Sequence, residues 1–122
     1  MAYQGANPSF GKLRTGRLIV DNRLELGIDV SSTNAAAISV LTPITALVST
    51  AGAETRTLAN GYEGQVKILF YMTDSSSCAV TPANLYNGTT ITFTDVNESW
   101  IGVFHAGEWH TIAGSAQTSA IS

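Results

Sequence analysis

Charged side chains are scarce in this sequence. Asp, Glu, Lys and Arg make up 12% of its 122 residues, about half of the usual quarter. Twelve serines and fifteen threonines supply most of the polar side chains instead. A composition low in charge and rich in threonine, valine and isoleucine is typical of a β protein with uncharged, self-associating surfaces. The length fits a single domain with one hydrophobic core.

Other features are also missing, and each one excludes a class of protein. The net charge of −3 is opposite in sign to that of most nucleic-acid-binding proteins. No run approaches the roughly 20 apolar residues of a membrane span, and the first ten residues lack the order of a signal peptide. With Cys78 as its one cysteine, the chain cannot form an internal disulfide. We therefore expect no nucleic-acid partner, no membrane contact and synthesis in a reducing cytoplasm.

The sequence divides into three predicted parts. Residues 1–35 form an extended N-terminal arm, residues 36–114 a β domain, and residues 115–122 a short tail. Turn signals about ten residues apart separate the predicted strands of the β domain, and no helical period is present. The predicted fold class is all-β, a compact β-sandwich or barrel-like domain that is jelly-roll-like. The predicted strands are 38–41, 45–50, 55–58, 65–72, 78–81, 89–94, 99–105 and 108–113.

The N-terminal arm is basic although the whole chain is acidic. The first 23 residues hold four of the six basic residues and one acidic residue, a net charge of +3, which leaves −6 for the remainder. Such a segment is typical of a docking device, and the alternative is an unstructured terminus. Alternate apolar residues from Leu18 to Ile28 also predict one or two short strands able to join a sheet edge. The cations predicted to contact a partner are Lys12, Arg14, Arg17 and Arg23.

Two predicted strand regions are apolar on both faces. Residues 65–72 place Val, Ile and Phe on one face and Leu and Tyr on the other, and only Lys67 interrupts them. A two-residue turn in the hairpin 99–113 would place Phe104 opposite Trp109 and Trp100 opposite Ala113. An antiparallel sheet in a small protein normally leaves one face in water. We therefore predict that four aromatic residues fill a core or an interface between subunits: Phe70, Trp100, Phe104 and Trp109.

No group of residues predicts catalysis or a metal site. His105, Glu108 and His110 lie close together on the final hairpin, and two histidines with a carboxylate could ligate a metal. No further ligand is near them in sequence, so polar residues beside a turn are the favoured interpretation. Cys78 has no basic neighbour to activate its thiol, and we expect it to be buried in a strand. We expect no catalytic residue, no metal, no cofactor and no enzymatic activity.

Three segments carry a resemblance to known proteins. They follow one another between about residues 57 and 114, and they are TLANGYEGQVKILFYMT (57–73), CAVTPANLYNGTTITFTDV (78–96) and ESWIGVFHAGEWHTIAG (98–114). The series resembles a module of tailed-phage structural proteins. It is similar to small head decoration (cement) proteins, including those of cyanobacterial and marine phages, and to parts of virion fibres.

The resemblance implies a trimeric β protein of a virus particle. We accordingly expect a decoration protein, made in the host cytoplasm, that binds the major capsid protein outside the shell and stabilises it. The basic arm suits this role because a free-standing capsid-binding protein needs an anchor. The alternative is a receptor- or carbohydrate-binding module of a phage fibre or spike. In that alternative, exposed aromatic residues would stack on sugars, and the candidates are Tyr62, Tyr86, Trp100 and Trp109.

Overall fold

The chain between residues 28 and 82 winds as a flattened coil. The computed structural model describes residues 14–73 and 75–120. Six strands form the coil: β1 (Ile28–Ser31), β2 (Ala36–Ile38), β3 (Ile44–Val48), β4 (Glu54–Leu58), β5 (Val66–Thr73) and β6 (Cys78–Pro82). β1, β3 and β5 pair in parallel in one sheet, and β2, β4 and β6 pair in parallel in the other. Each turn of the coil therefore adds one strand to each sheet.

Four further strands complete the two sheets in antiparallel fashion. They are β7 (Gly88–Phe93), β8 (Ser99–His105), β9 (Glu108–Gly114) and β10 (Gln117–Ala120). Sheet A has the order β1-β3-β5-β8-β9, and sheet B has the order β10-β7-β6-β4-β2. The predicted all-β sandwich is confirmed. Its first six strands, however, pair in parallel, whereas a jelly roll is antiparallel.

The described residues contain strands and turns but no helix. It follows that no helix in this part of the chain has the length and apolar character needed to cross a membrane.

The observed strands differ from the predicted ones mainly at the ends of the β domain. The predicted strand 38–41 lies earlier, at Ala36–Ile38, because the Ser39 hydroxyl accepts a hydrogen bond from the Leu41 amide and forms a turn. β1 lies inside the predicted arm and pairs with β3. β10 lies inside the predicted tail and pairs with β7, which would otherwise expose an unpaired sheet edge.

The β8–β9 hairpin has the predicted two-residue turn. Ala106 and Gly107 both have positive φ, 53° and 84°, as a type I′ turn requires. Phe104 lies opposite Trp109 as predicted. A register shift next to Ile101 then breaks the regular pairing, so the partner of Trp100 is Gly114 rather than the predicted Ala113.

The hydrophobic core lies between the inner faces of the two sheets. Trp100 and Trp109 meet there edge to face, with ring centroids 6.0 Å apart. The backbone at Gly102 leaves room for this pair, because a Cβ at that position would lie 2.1 Å from the Trp100 ring. Both sheets contribute apolar side chains to one cluster, among them Leu47, Leu69 and Tyr71 from sheet A and Leu58, Val80, Ile91 and Phe93 from sheet B.

Candidate functional site

The described part of the N-terminal arm, residues 14–27, lies on the outside of the molecule. All of its residues are exposed, including the predicted anchors Arg14 and Arg17. Arg23 forms an ion pair with Glu25 at 2.5 Å between Nε and Oε2, while 81% and 70% of the two side chains remain in water. Such a pair contributes at most about 1 kcal/mol, so Arg23 remains available to a partner. Lys12 lies outside the described residues.

The arm carries exposed apolar residues at alternate positions. Leu18, Val20, Leu24 and Leu26 are between 43% and 62% exposed. The alternation is incomplete, because Arg14 stands at an even position, Ile19 stands at an odd one, and the chain bends at residues 21–22. The arm therefore offers charged and apolar contacts without dividing them between two sides.

A buried arginine holds the end of β1 that is farther from the arm. Arg56 of β4 is fully buried. Its Nε donates to Ser31 Oγ at 2.8 Å, and its Nη2 donates to the Ser31 carbonyl at 3.3 Å and the Val48 carbonyl at 2.8 Å. This side chain therefore connects sheet B with β1 and β3 of sheet A. A pull on the arm would load the β1–β3 pairing first, from Ile28, and the bonds to Ser31 after it.

Glu54 provides the counter-charge for Arg56. Its Oε1 accepts from Arg56 Nη2 at 3.0 Å, and its Oε2 accepts from the amides of Thr50 and Ala51 at 3.0 and 3.2 Å. The Thr50 hydrogen bond is the largest influence on the Glu54 carboxyl. Together with Arg56 and Ala51 it lowers the pKa below its ordinary value, although burial acts in the opposite direction. The ion pair is therefore stabilised by hydrogen bonds on both partners.

A buried lysine holds β1 nearer the arm, at Asp29, through the hydroxyl of Thr45. Lys67 of β5 has no exposed surface, and its Nζ donates to Ser39 O, Thr42 O and Thr45 Oγ1 at 2.7, 2.6 and 2.7 Å. The Thr45 hydroxyl in turn donates to Asp29 Oδ1 of β1 at 2.6 Å. Burial lowers the pKa of Lys67, and the nearby carboxylate of Asp29 opposes that shift. All three ammonium hydrogens therefore have partners.

The outer face of sheet A is apolar. One row across its five strands consists of Ile28, Ile44, Ile68, Ile101 and Ala113. A second row contains Val30, Ala46 and Phe70, and a third contains Val66 and Val103. We call these ten residues the aliphatic face. Ile28, Val30 and Val66 are between 46% and 59% exposed, whereas Ala46 between its larger neighbours is buried. This face is therefore open to solvent in the single chain except at Ala46.

The outer face of sheet B is polar instead. One row across β4, β6, β7 and β10 consists of Thr55, Ala79, Thr92 and Gln117, and Thr57 pairs with Thr81 beside it. We call these six residues the threonine face. Hydroxyl-bearing β-branched residues suit a solvated sheet surface, because they favour strands and still hydrogen-bond with water. The threonine face is therefore suited to contact with water.

Aromatic and titratable residues meet at the turn end of sheet A. His105 contacts Glu63 through Nδ1, and His110 donates from Nε2 to the His105 carbonyl at 3.1 Å. Tyr86 stacks on His110 with ring centroids 4.8 Å apart. The His105 contact, with help from the Ala106 amide, lowers the pKa of Glu63. Among the described residues no cluster of three or more potential ligands could hold a metal ion.

The four aromatic residues predicted for a core or interface occupy two environments. Trp100, Phe104 and Trp109 are buried in the core of the single chain. Both indoles donate hydrogen bonds, from Trp100 to Thr111 Oγ1 at 2.7 Å and from Trp109 to the Ala59 carbonyl at 2.9 Å. Neither tryptophan is therefore free to stack on a sugar. Phe70 belongs to the aliphatic face and is half-buried.

The sequence did not predict that Arg56 and Lys67 hold β1, the strand that follows the arm. One signal was available, since Lys67 is a charged residue within an otherwise apolar strand. Cys78 is buried as expected, and burial raises the pKa of its thiol. The thiol is thus held in its unreactive protonated form.

Comparison with known proteins gives little further guidance. No family model matches the sequence, and no curated protein matches it. One solved structure with partial similarity is described as the structure of a chaperone-substrate complex. The match has a TM-score of 0.46 and 16% sequence identity, and it covers 69% of this chain and 15% of that chain.

Proposed function

We propose that the protein is a virion structural protein of a tailed phage. It binds the major capsid protein on the outer surface of the capsid, stabilises the shell and acts as a homotrimer without catalytic activity. The observation that carries the proposal is the exposed, basic arm joined to the core through buried Arg56 and Lys67. The resemblance of residues 57–114 to decoration proteins supports it.

The arm suits an anchor for two reasons. Its cations, Arg14, Arg17 and Arg23, lie in water and can meet carboxylates of a shell protein. Exposed ion pairs contribute only about 0–1 kcal/mol each, so tight binding needs further contacts. Addition of the Leu18–Leu26 segment as a strand to a shell edge would supply backbone hydrogen bonds. Three arms in one trimer would then raise the overall affinity by roughly 10² to 10⁴.

The stabilising mechanism is differential binding. A decoration protein stabilises an expanded shell only if it binds that state more tightly than the unexpanded or broken state. An anchor that bridges neighbouring shell subunits meets this condition, because its complete site exists only when both subunits are in place. The hydrogen bonds between Arg56 and Ser31 hold β1, the strand that follows the arm. Through β1, load from the shell would pass to the β domain.

Binding to undecorated capsids tests this function. We expect the full chain to saturate capsids that lack it and to raise the temperature at which they burst. The triple substitution Arg14→Gln, Arg17→Gln and Arg23→Gln should weaken binding, and raised salt should weaken binding of the unmodified chain in the same way. Glu25→Gln is the matched control, since it changes an arm charge without removing a cation.

Two results would contradict the proposal at different levels. Full decoration by a chain lacking residues 1–26, which end before β1, would place the anchor on the β domain. Failure of the full chain to bind or protect the capsids would remove the capsid function altogether.

The second candidate function is glycan binding by a fibre or spike. The observation that favours it is the exposure of Tyr62 and Tyr86, 71% and 53%, with Tyr86 stacked on His110. Aromatic faces of this kind can stack on sugar rings. A glycan array probed with the unmodified chain and with Tyr86→Ala would test it. Binding lost in the variant supports this function, and no binding by either chain removes it.

A further inference from the structure

We propose that the aliphatic face is an interface with further copies of this chain. The proposal names the surface through which the proposed homotrimer forms. It rests on that part of the proposed function and is independent of capsid binding. Its starting point is the row Ile28, Ile44, Ile68, Ile101 and Ala113, which crosses all five strands of sheet A. On the same face, Ser99 pairs with Phe70, His110 pairs with Val103, and His105 pairs with Glu108 next to the β8–β9 turn.

The chain does not cover this face with its own described residues. If the arm folded back over sheet A, the outward side chains of β1 and β5 and those of the arm would bury one another. Instead, Val30 and Val66 are 57% and 46% exposed, and Leu26 of the arm is 45% exposed. The apolar residues of the arm and the aliphatic face are therefore both available to a second molecule.

The size of the surface fits association between copies. Five strands about 4.8 Å apart and three rows deep give a flat area of roughly 20 by 15 Å. The arm adds four exposed apolar side chains, those of Leu18, Val20, Leu24 and Leu26. With the relief of the side chains, the two surfaces together approach the roughly 800 Å² per partner of a standard interface. The face alone is already comparable with the largest patches on monomeric proteins.

A second copy is the partner that the chemistry favours. The aliphatic face offers no charge or buried polar group that would select a charged partner, whereas an identical aliphatic face matches it in polarity. Identical subunits bury a repeated patch by closed cyclic association. The polar residues in its rows, Ser99 and His110, lie at the row ends on β8 and β9, so the centre of the face can be buried without burying a polar side chain.

The central test replaces two paired residues of this face with threonine. Ile68→Thr with Ile101→Thr keeps β-branched side chains and strand propensity, and it gives sheet A the chemistry of the threonine face. Val96→Thr is the matched control, because Val96 is exposed in the β7–β8 turn outside this face. Sedimentation velocity at micromolar concentration measures association, and circular dichroism confirms that each variant is folded.

We expect the unmodified chain and Val96→Thr to sediment as oligomers and the double variant as a monomer. Loss of two buried isoleucine contacts in each copy should weaken association by at least about tenfold. A monomeric unmodified chain, or a folded double variant that remains oligomeric, would overturn the proposal. Recovery of the unmodified chain only in complex with a different protein would also overturn it, since the face would then serve that partner.

A second substitution keeps the test informative if the double variant does not fold. Val66→Lys introduces a charge at a position that is already 46% exposed in the single chain, so the isolated subunit should tolerate it. Like charges would then meet in the interface, and we expect a folded monomer. An oligomer of unchanged mass would contradict the proposal. These measurements need no capsid, so they can succeed or fail independently of the proposed function.

Discussion

The two sheets have similar inner faces and opposite outer faces. Both inner faces contribute large apolar side chains to one core. On the outside, sheet A shows isoleucine, valine and phenylalanine, whereas sheet B shows mainly threonine. Valine and threonine have nearly the same shape and both favour strands. Strand propensity therefore cannot explain the difference between the two outer faces. A difference in what each face contacts, water or protein, can explain it.

The difference shows which information a two-sided strand carries. Alternation of apolar and polar residues identifies the core side in sheet B, where one face is solvated. In sheet A the alternation is lost, because both faces avoid water. A strand of this second kind favours a partner outside its own sheet sandwich, and the partner that we propose would lie on the outer face of sheet A.

The inner faces of the two sheets should contribute similarly to the free energy of unfolding. Trp109→Ala in sheet A and Phe93→Ala in sheet B each remove a fully buried ring. We expect each substitution to lower the free energy of unfolding by about 3–5 kcal/mol, measured by urea denaturation. A loss below about 1 kcal/mol at either position would show that the core does not depend on that sheet as described.

The buried lysine should give the next largest effect. Lys67→Met removes the donor for Ser39 O, Thr42 O and Thr45 Oγ1 and leaves buried acceptors unsatisfied. We expect a loss of about 1–3 kcal/mol. Val66→Met, on the adjacent outward position, is the control and should change stability by less than about 0.5 kcal/mol. Equal effects at the two positions would contradict the assignment of inner and outer faces.

Acid should weaken sheet B through Glu54. The folded-state pKa of this carboxyl is lowered, first by the Thr50 hydrogen bond and also by Arg56. Its stabilisation is therefore complete above the ordinary pKa of 4.5 and is lost as pH falls through the lower folded value. We expect melting temperature to fall below about pH 4.5.

Glu54→Gln should be less stable near neutral pH but lose less stability on acidification. Glu25→Gln in the exposed arm is the control and should follow the unmodified chain. Glu63, whose pKa is lowered by His105, acts in the same direction, so the acid response should shrink rather than vanish. An acid response of unchanged size in Glu54→Gln would contradict this assignment.

The smallest effect is expected on the threonine face. Thr57→Val with Thr81→Val makes a paired site on sheet B resemble sheet A. Both residues are exposed, so we expect a change in unfolding free energy within about 0.5 kcal/mol per site. The sedimentation coefficient at low micromolar concentration should also stay that of the unmodified chain. Dissociation of the oligomer in this variant would place the interface on sheet B.

Much of the fold follows from local signals in the sequence. The Ala106-Gly107 turn and the alternation on either side of it determine the first pairs of the β8–β9 hairpin, and the structure agrees with that prediction up to the register shift near Ile101. The shift depends on packing of Trp100 over Gly102. This packing depends on which residues meet in three dimensions, and the alternation of apolar and polar residues does not contain that information.

The sequence did not predict the parallel coil or the buried charged residues that hold β1. Strands β3 and β5 are neighbours in sheet A, although β4, which lies between them in sequence, belongs to sheet B. No turn signal in the sequence specifies such a pairing. Lys67 made its face of β5 look less suitable for a core than the face with Ile68 and Phe70. The lysine nevertheless points inward, because three acceptors from residues 39–45 satisfy its ammonium group. These acceptors are distant in sequence, so the exception could not be foreseen.

The coiled path of residues 28–82 makes the two sheets thermodynamically inseparable. β3 cannot leave sheet A without displacing β2 and β4, which precede and follow it in sheet B. Partial unfolding confined to one sheet would therefore break the connections of the other, and a single cooperative transition is expected. Both tryptophans belong to sheet A. Their fluorescence consequently reports the loss of sheet B as well, at the same denaturant concentration as the circular dichroism of the whole chain.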